Sequence, residues 1–93
     1  MIFSKGKAVF TISITAEMLD CHPRTLRVYD EEGFVCPQRR NNVRYYSQND
    51  VDRLHKIMDI MDKWNLNIYG VNALIEAAKV MDITFDDLMD RMS

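Results

Sequence analysis

Three side chains on one short stretch offer the first recognisable chemistry in this sequence. They are Arg24, Thr25 and Arg27, within Cys21-His22-Pro23-Arg24-Thr25-Leu26-Arg27-Val28-Tyr29-Asp30. An arginine can present two parallel donors to the acceptor edge of guanine, and a threonine methyl can meet the methyl of thymine. A second group follows at Arg39, Arg40 and Arg44, with no acid among residues 36–46 to match it. Five arginines and no lysines lie between Cys21 and Tyr46. Their planar forks suit phosphate oxygens as well as base edges. Taken alone, the first stretch reads equally well as a solvated amphipathic helix, and its neighbours decide between the two.

Other chemistries find little support. No paired carboxylates, nucleophile-base constellation or glycine-rich phosphate loop stands out, so the chain is read as a non-enzyme with no cofactor. Cys21, His22, Cys36 and His55 lack zinc-finger spacing, so no metal is expected. Two cysteines are too few for a disulfide framework. No secretion signal is read at the start of the chain, so both are expected as reduced thiols in the cytoplasm. No apolar run approaches the ~20 residues that span a bilayer, so no membrane partner is expected. Ninety-three residues make one small domain with a modest core. The formal net charge is only −2, but it is uneven. Residues 1–46 hold seven Lys/Arg against five Asp/Glu, and residues 47–93 hold five against nine. A mildly basic front and an acidic back suggest one surface that faces a polyanion.

The elements that must position these arginines follow from local signals. Met1 to Lys7 lacks periodicity and reads as a loose arm, and Ala8 to Ile12 suits a short strand. Ser13 can cap a helix over Ile14 to Leu19, with Ala16 and Leu19 inward. The turn Asp20-Cys21-His22 leads into a second helix, with His22 as N-cap and Pro23 at the first helical position. That helix is expected to reach Glu32 and stop at Gly33, with Leu26 and Tyr29 on its inner face. Two short helices joined by a turn of about three residues have helix-turn-helix dimensions. Asp20 occupies the inter-helix position that glycine usually fills, and Cys21 reads as core. Phe34 to Pro37 reads as an extended exit. Asn41-Asn42 is a hairpin turn, since asparagine accepts positive φ. The arms of this hairpin carry Arg39 and Arg40 on one side and Arg44 on the other, which is the layout of a wing able to reach phosphates or the minor groove.

Beyond the hairpin, Ser47 and Asp50 are spaced like a capping box. Val51, Leu54, Ile57, Met58 and Met61 then recur at helical spacing, extended by Trp64, as core or partner-facing surface. His55 falls off this stripe. A fourth helix is expected from Ile68 to Val80, with Val71, Leu74, Ile75 and Ala78 inward and Gly70 allowing close helix packing. Thr84 caps a last helix, with Asp87 in the capping-box position and Phe85, Leu88, Met89 and Met92 apolar. Its Asp86 and Asp87 complement the positive end of the helix dipole.

This order of parts resembles the MerR family of transcription regulators. The likeness is carried by Phe10-Thr11-Ile12-Ser13, Pro23-Arg24-Thr25-Leu26-Arg27-x-Tyr29, Glu32-Gly33-Phe34-Val35-x-Pro37, Arg44-x-Tyr46-Ser47 and Asn49-Asp50-Val51-Asp52-Arg53-Leu54. Leu66-Asn67-Ile68-x-Gly70-Val71 extends it toward residue 80. His22 to Leu26 and Ile68-x-Gly70-Val71 are most similar to the heat-shock-repressor (HspR-like) branch, and residues 49–54 also suit the glutamine-synthetase-repressor branch. The resemblance implies a mainly α fold: a winged helix-turn-helix with a short β-hairpin wing and additional C-terminal helices. It implies an arm over residues 1–9, a DNA-binding domain over 10–80 and a short helix over 81–93. It places DNA contacts at Arg24, Thr25, Arg27 and Tyr29 of the recognition helix, and at Arg39, Arg40, Arg44 and Tyr45 of the wing. The family's long antiparallel dimerisation helix has no counterpart after Val80 in this sequence, and mercury-type sensing is not expected, because Cys21 and Cys36 both lie inside the DNA-binding domain.

Two functions of different kinds are therefore expected to compete. One is a sequence-specific double-stranded DNA-binding transcription regulator of the repressor kind. The other is a non-enzymatic adaptor whose acidic, methionine-rich back half binds a protein such as a chaperone. A homodimer built from the last two helices, through Met58, Met61 and Trp64 and through Phe85, Met89 and Met92, is the expected assembly; the alternative is a last helix that folds back over the stripe within one chain and leaves a monomer.

Overall fold

In the computed structural model, which describes residues 4–93, the chain runs β1 (Ala8–Thr11), α1 (Ile12–Met18), α2 (Pro23–Glu31), β2 (Gln38–Arg40), β3 (Val43–Ser47), α3 (Gln48–Lys63), α4 (Ile68–Val80) and α5 (Phe85–Met92). The fold is mainly helical, a winged helix-turn-helix with further C-terminal helices, as expected. The arm expected over residues 1–9 lies partly outside the described residues. At its other end Ala8 and Val9 belong to β1.

The starts of the helices are set by caps. Thr11, not Ser13, caps α1: its hydroxyl accepts from the Ile14 N–H, and the helix begins two residues earlier than expected. Strand β1 ends on that capping residue, so sheet and helix meet without a loop. Ser47 and Asp50 form the reciprocal capping box. The Ser47 hydroxyl accepts from the Asp50 N–H at 3.0 Å, and the Asp50 carboxylate accepts from the Ser47 N–H at 2.9 Å. Asn67 caps α4 through its side-chain oxygen, and Thr84 caps α5.

The ends of α1, α2, α3 and α4 share one device. A residue in the left-handed conformation follows the last turn: Asp20, Gly33, Asn65 and Asp82. The next N–H reaches back to the carbonyl five residues earlier: Cys21 to Ala16, Phe34 to Tyr29, Leu66 to Met61 and Ile83 to Ala78. These are Schellman motifs. Each satisfies carbonyls that the helix end leaves open and sends the chain on with an apolar residue or cysteine.

The sheet is antiparallel in the order β1-β3-β2. Phe10 faces Tyr46 and Thr11 faces Tyr45, with an irregularity between Ala8 and Phe10. In the hairpin Gln38 faces Tyr45, Arg39 faces Arg44 and Arg40 faces Val43. Asn41 and Asn42 both take positive φ, 53° and 65°, as a two-residue turn between twisted strands requires.

The chain divides into two compact units, residues 1–55 and 56–93. The first buries Ala16, Leu19, Leu26, Tyr29, Phe34, Val35, Tyr46, Val51 and Leu54. Thr15, also buried, donates its hydroxyl to the Thr11 carbonyl. The second unit buries Ile57, Ile60, Val71, Ala78 and Met89. Here α5 is tied back by its C-terminal end: the Met92 carbonyl accepts from Lys63 Nζ and from Trp64 Nε1, and Lys56 pairs with Asp90. The methionine stripes expected to face a second copy are thus covered within this unit. Met89 is fully buried, and Met58, Met61, Phe85 and Met92 are partly so. Trp64 lies at the exposed edge of this stripe, and Ile60 takes a central place in it. The room made by Gly70 serves Leu66, whose side chain a Cβ would meet at 3.1 Å, rather than a neighbouring helix.

Candidate nucleic-acid interface

Helix α2 begins as its sequence dictates. His22 is the N-cap, with Nδ1 accepting from the Arg24 N–H at 3.0 Å, and Pro23 opens the first turn. Leu26 and Tyr29 point inward. Arg24 and Arg27 are exposed on the opposite side, and Thr25 is half-buried between the two faces. Among the described residues, no hydrogen bond or ion pair engages the guanidinium of Arg24 or Arg27. Tyr29, placed among the DNA contacts by the resemblance, lies on the inner face of α2. It is 7% exposed, and its ring centroid lies 5.5 Å from that of Phe34. It supports α2 from beneath, and burial pushes its phenol pKa up.

The wing arginines, unmatched within the hairpin itself, find an acid on α2. Asp30, the eighth residue of α2, accepts from Arg39 Nη2 at 2.6 Å and from Arg44 Nε at 2.7 Å through the same carboxylate oxygen. Arg39 and Arg44 sit directly opposite each other in the hairpin. Like charges in that register repel, and the single carboxylate offsets both. Burial alone would raise the Asp30 pKa. The hydrogen bonds from Arg44 and Arg39, with their charges, outweigh it and hold the carboxyl below its usual value. The same bond pushes the Arg44 pKa up.

Arg40 takes another direction. Its guanidinium lies 4.0 Å from the centroid of the Tyr45 ring and donates to the Ala8 carbonyl at 2.9 Å. Tyr45 is half-buried under it. Between α2 and the hairpin lies a notch of about 200 Å³ lined by Ile12, Arg27, Asn42, Val43 and Arg44. It brings one recognition-helix arginine and one wing arginine onto a shared concave surface. Arg53 fixes the exit from α2 by donating to the Phe34 carbonyl at 2.8 Å.

Sequence reasoning missed Asp30. The available signal was an acid three residues after Arg27, one turn along the helix and ahead of an arginine-rich hairpin. Cys21 is half-buried, and desolvation, with Asp20 nearby, pushes its thiol pKa up, which suits the expected role as packing rather than chemistry.

Residues 10–78 match the family described as MerR HTH family regulatory protein. The chain is 35% identical over 69 residues to the "Putative heat shock protein HspR" of Streptomyces coelicolor, covering 73% of this chain and 46% of that protein. It is 34% identical over 88 residues to the HTH-type transcriptional regulator GlnR of Bacillus anthracis, covering 86% and 67%. It is 40% identical over 60 residues to the HTH-type transcriptional regulator TnrA of Bacillus subtilis, covering 63% and 52%. The chain therefore spans from about half to two thirds of the length of these relatives. With the family match running from β1 through most of α4, over a helix-turn-helix followed by an arginine-bearing wing, the chain belongs to the MerR helix-turn-helix family of regulatory proteins.

Proposed function

We propose that this chain is a cytoplasmic, sequence-specific double-stranded DNA-binding transcription regulator of the repressor kind. The observation that carries the reading is the outer face of α2, where Arg24 and Arg27 stand exposed and unpaired beside Thr25. A helix of this size fits the major groove, and its arginines are the residue type that reads guanine. The wing supplies Arg39 and Arg44 for phosphates, with Arg40 and Tyr45 behind them. The names of the relatives, which include transcriptional regulators, point the same way. Repression rests on the heat-shock-repressor likeness of the sequence, and pairing of two copies on a symmetric site would supply affinity that one short helix lacks.

Anisotropy titration against genomic fragments tests the proposal. Affinity should fall with salt, with log K changing by ~0.9 per log unit of salt for each phosphate neutralised. Arg24→Ala should cost roughly 1–3 kcal/mol and relax one operator position, whereas Arg44→Ala should weaken all sequences alike. No binding at low salt would overturn the reading. In that event the adaptor reading gains, and the exposed Tyr69 and Val80 of α4 are the surface on which a protein partner would be sought.

A further inference from the structure

We propose that Asp30 is a positioning residue that holds the wing ready for DNA before the duplex arrives. The inference rests on the DNA-binding reading and deepens it. Asp30 carries a negative charge on the surface expected to meet a polyanion, so charge counting alone gives it an adverse role. The geometry gives it another. One carboxylate oxygen receives Arg39 from β2 and Arg44 from β3 at 2.6 and 2.7 Å, so a single side chain of the recognition helix grips both strands of the hairpin. Those two arginines are cross-strand partners in the sheet register, where their like charges would otherwise drive them apart.

The grip also fixes direction. Arg44 donates its Nε to Asp30, and among the described residues its terminal amino groups make no hydrogen bond. Its side chain is 22% exposed, against 12% for Asp30. It lines the same notch as Arg27 and Asn42. Arg39 is 55% exposed and uses one terminal nitrogen on Asp30. Both guanidiniums are thereby ordered while part of each faces outward. Side chains ordered in advance need not be ordered on binding, and that saving appears as affinity.

Removing the charge of Asp30 should therefore weaken DNA binding, the opposite of the simple electrostatic result. The experiment measures duplex affinity of the full chain by anisotropy for wild type, Asp30→Asn, Asp30→Glu and Arg39→Gln/Arg44→Gln, with and without Asp30→Asn. Thermal unfolding identifies the folded fraction of each, and affinities are referred to it. Asp30→Asn is expected to weaken binding roughly tenfold on all sequences, the loss expected from freeing two ordered arginines. Asp30→Glu should recover most of the loss. In the double-glutamine background Asp30→Asn should change nothing, because its partners are gone. A merely structural role would persist there. Unchanged or tighter binding by Asp30→Asn, or an undiminished effect in that background, overturns the proposal while leaving the DNA-binding reading standing. Failure of the wild type to bind any duplex overturns both.

Discussion

Tyr46 shows how one atom can set a measurable property. Its side chain is fully buried, and among the described residues its hydroxyl has no hydrogen-bond partner. A buried donor left unmade costs ~1–3 kcal/mol. Tyr46→Phe is therefore expected to stabilise the fold by about 1 kcal/mol, read as a rise in the denaturation midpoint at neutral pH. The pH dependence has a definite sign. Burial is the largest cause pushing the Tyr46 pKa up to about 12, with Asp30 adding to it. Below the unfolded value of about 10 the neutral phenol is present in both states. As pH rises from there the unfolded chain ionises first, and stability is lost until the folded phenol ionises too. Tyr46→Phe should flatten this alkaline decline, and a decline of unchanged depth would show that another group causes it. At this scale the sequence was legible for Arg24 and Arg27, whose outward placement follows from helical spacing around Leu26. It was legible too for the inward placement of Tyr29, which follows from the same spacing. The Asp30 clasp was hidden because its partners come from another element and depend on hairpin register.

The elements were legible wherever a local signal acts within a few residues. Gly33, the Asn41-Asn42 turn and the Ser47-Asp50 box all stand where their side-chain chemistry placed them. The start of α1 was displaced because Thr11 and Ser13 are both competent caps, and pairing of Thr11 with Tyr45 in the sheet selects the earlier one. Repetition of the Schellman end at four helices gives a matched set of tests. Gly33, at φ 80°, occupies a conformation open to glycine at little cost, whereas Asp20 and Asn65 hold the same kind of position at 52° and 54°. An L side chain there costs ~1–2 kcal/mol, less for Asn and Asp. Gly33→Ala should thus destabilise by about 1 kcal/mol, and Asp20→Gly and Asn65→Gly should each stabilise by roughly 0.5 kcal/mol. Urea midpoints at constant slope would check this. Loss of stability in both glycine variants would mean that the Asp20 and Asn65 side chains contribute more than their backbone strain costs.

At the scale of the whole molecule, the uneven charge and the helical stripes were visible from the start, but which stripe stays exposed was not. Periodicity identifies an apolar face without saying what covers it. The Met58-Met61-Trp64 and Phe85-Met89-Met92 faces fall within one unit, where α5 is tied to the end of α3 through the Met92 carbonyl. Exposure moves instead to the outer side of α4, where Tyr69 and Val80 are 82% and 87% exposed. They lie about three turns apart on one side of that helix, with the exposed Ala73 between them. None of the helices among the described residues is long and apolar enough to cross a membrane. A recognition helix of nine residues reads few base pairs, so pairing on two half-sites is the economical route to a useful affinity. If two copies pair, the α4 face, which carries the two most exposed large apolar side chains among the described residues, is a surface suited to it, and its side chains would become buried. Sedimentation equilibrium across micromolar concentrations should then show a monomer-dimer equilibrium for the wild type. Val80→Lys should shift it toward monomer by about tenfold or more, since a charge would be buried in the contact, while helicity and thermal unfolding stay unchanged at this exposed site. A monomeric mass throughout, with one chain bound per symmetric operator, would defeat the pairing. A dimer indifferent to Val80→Lys would place the contact on another surface.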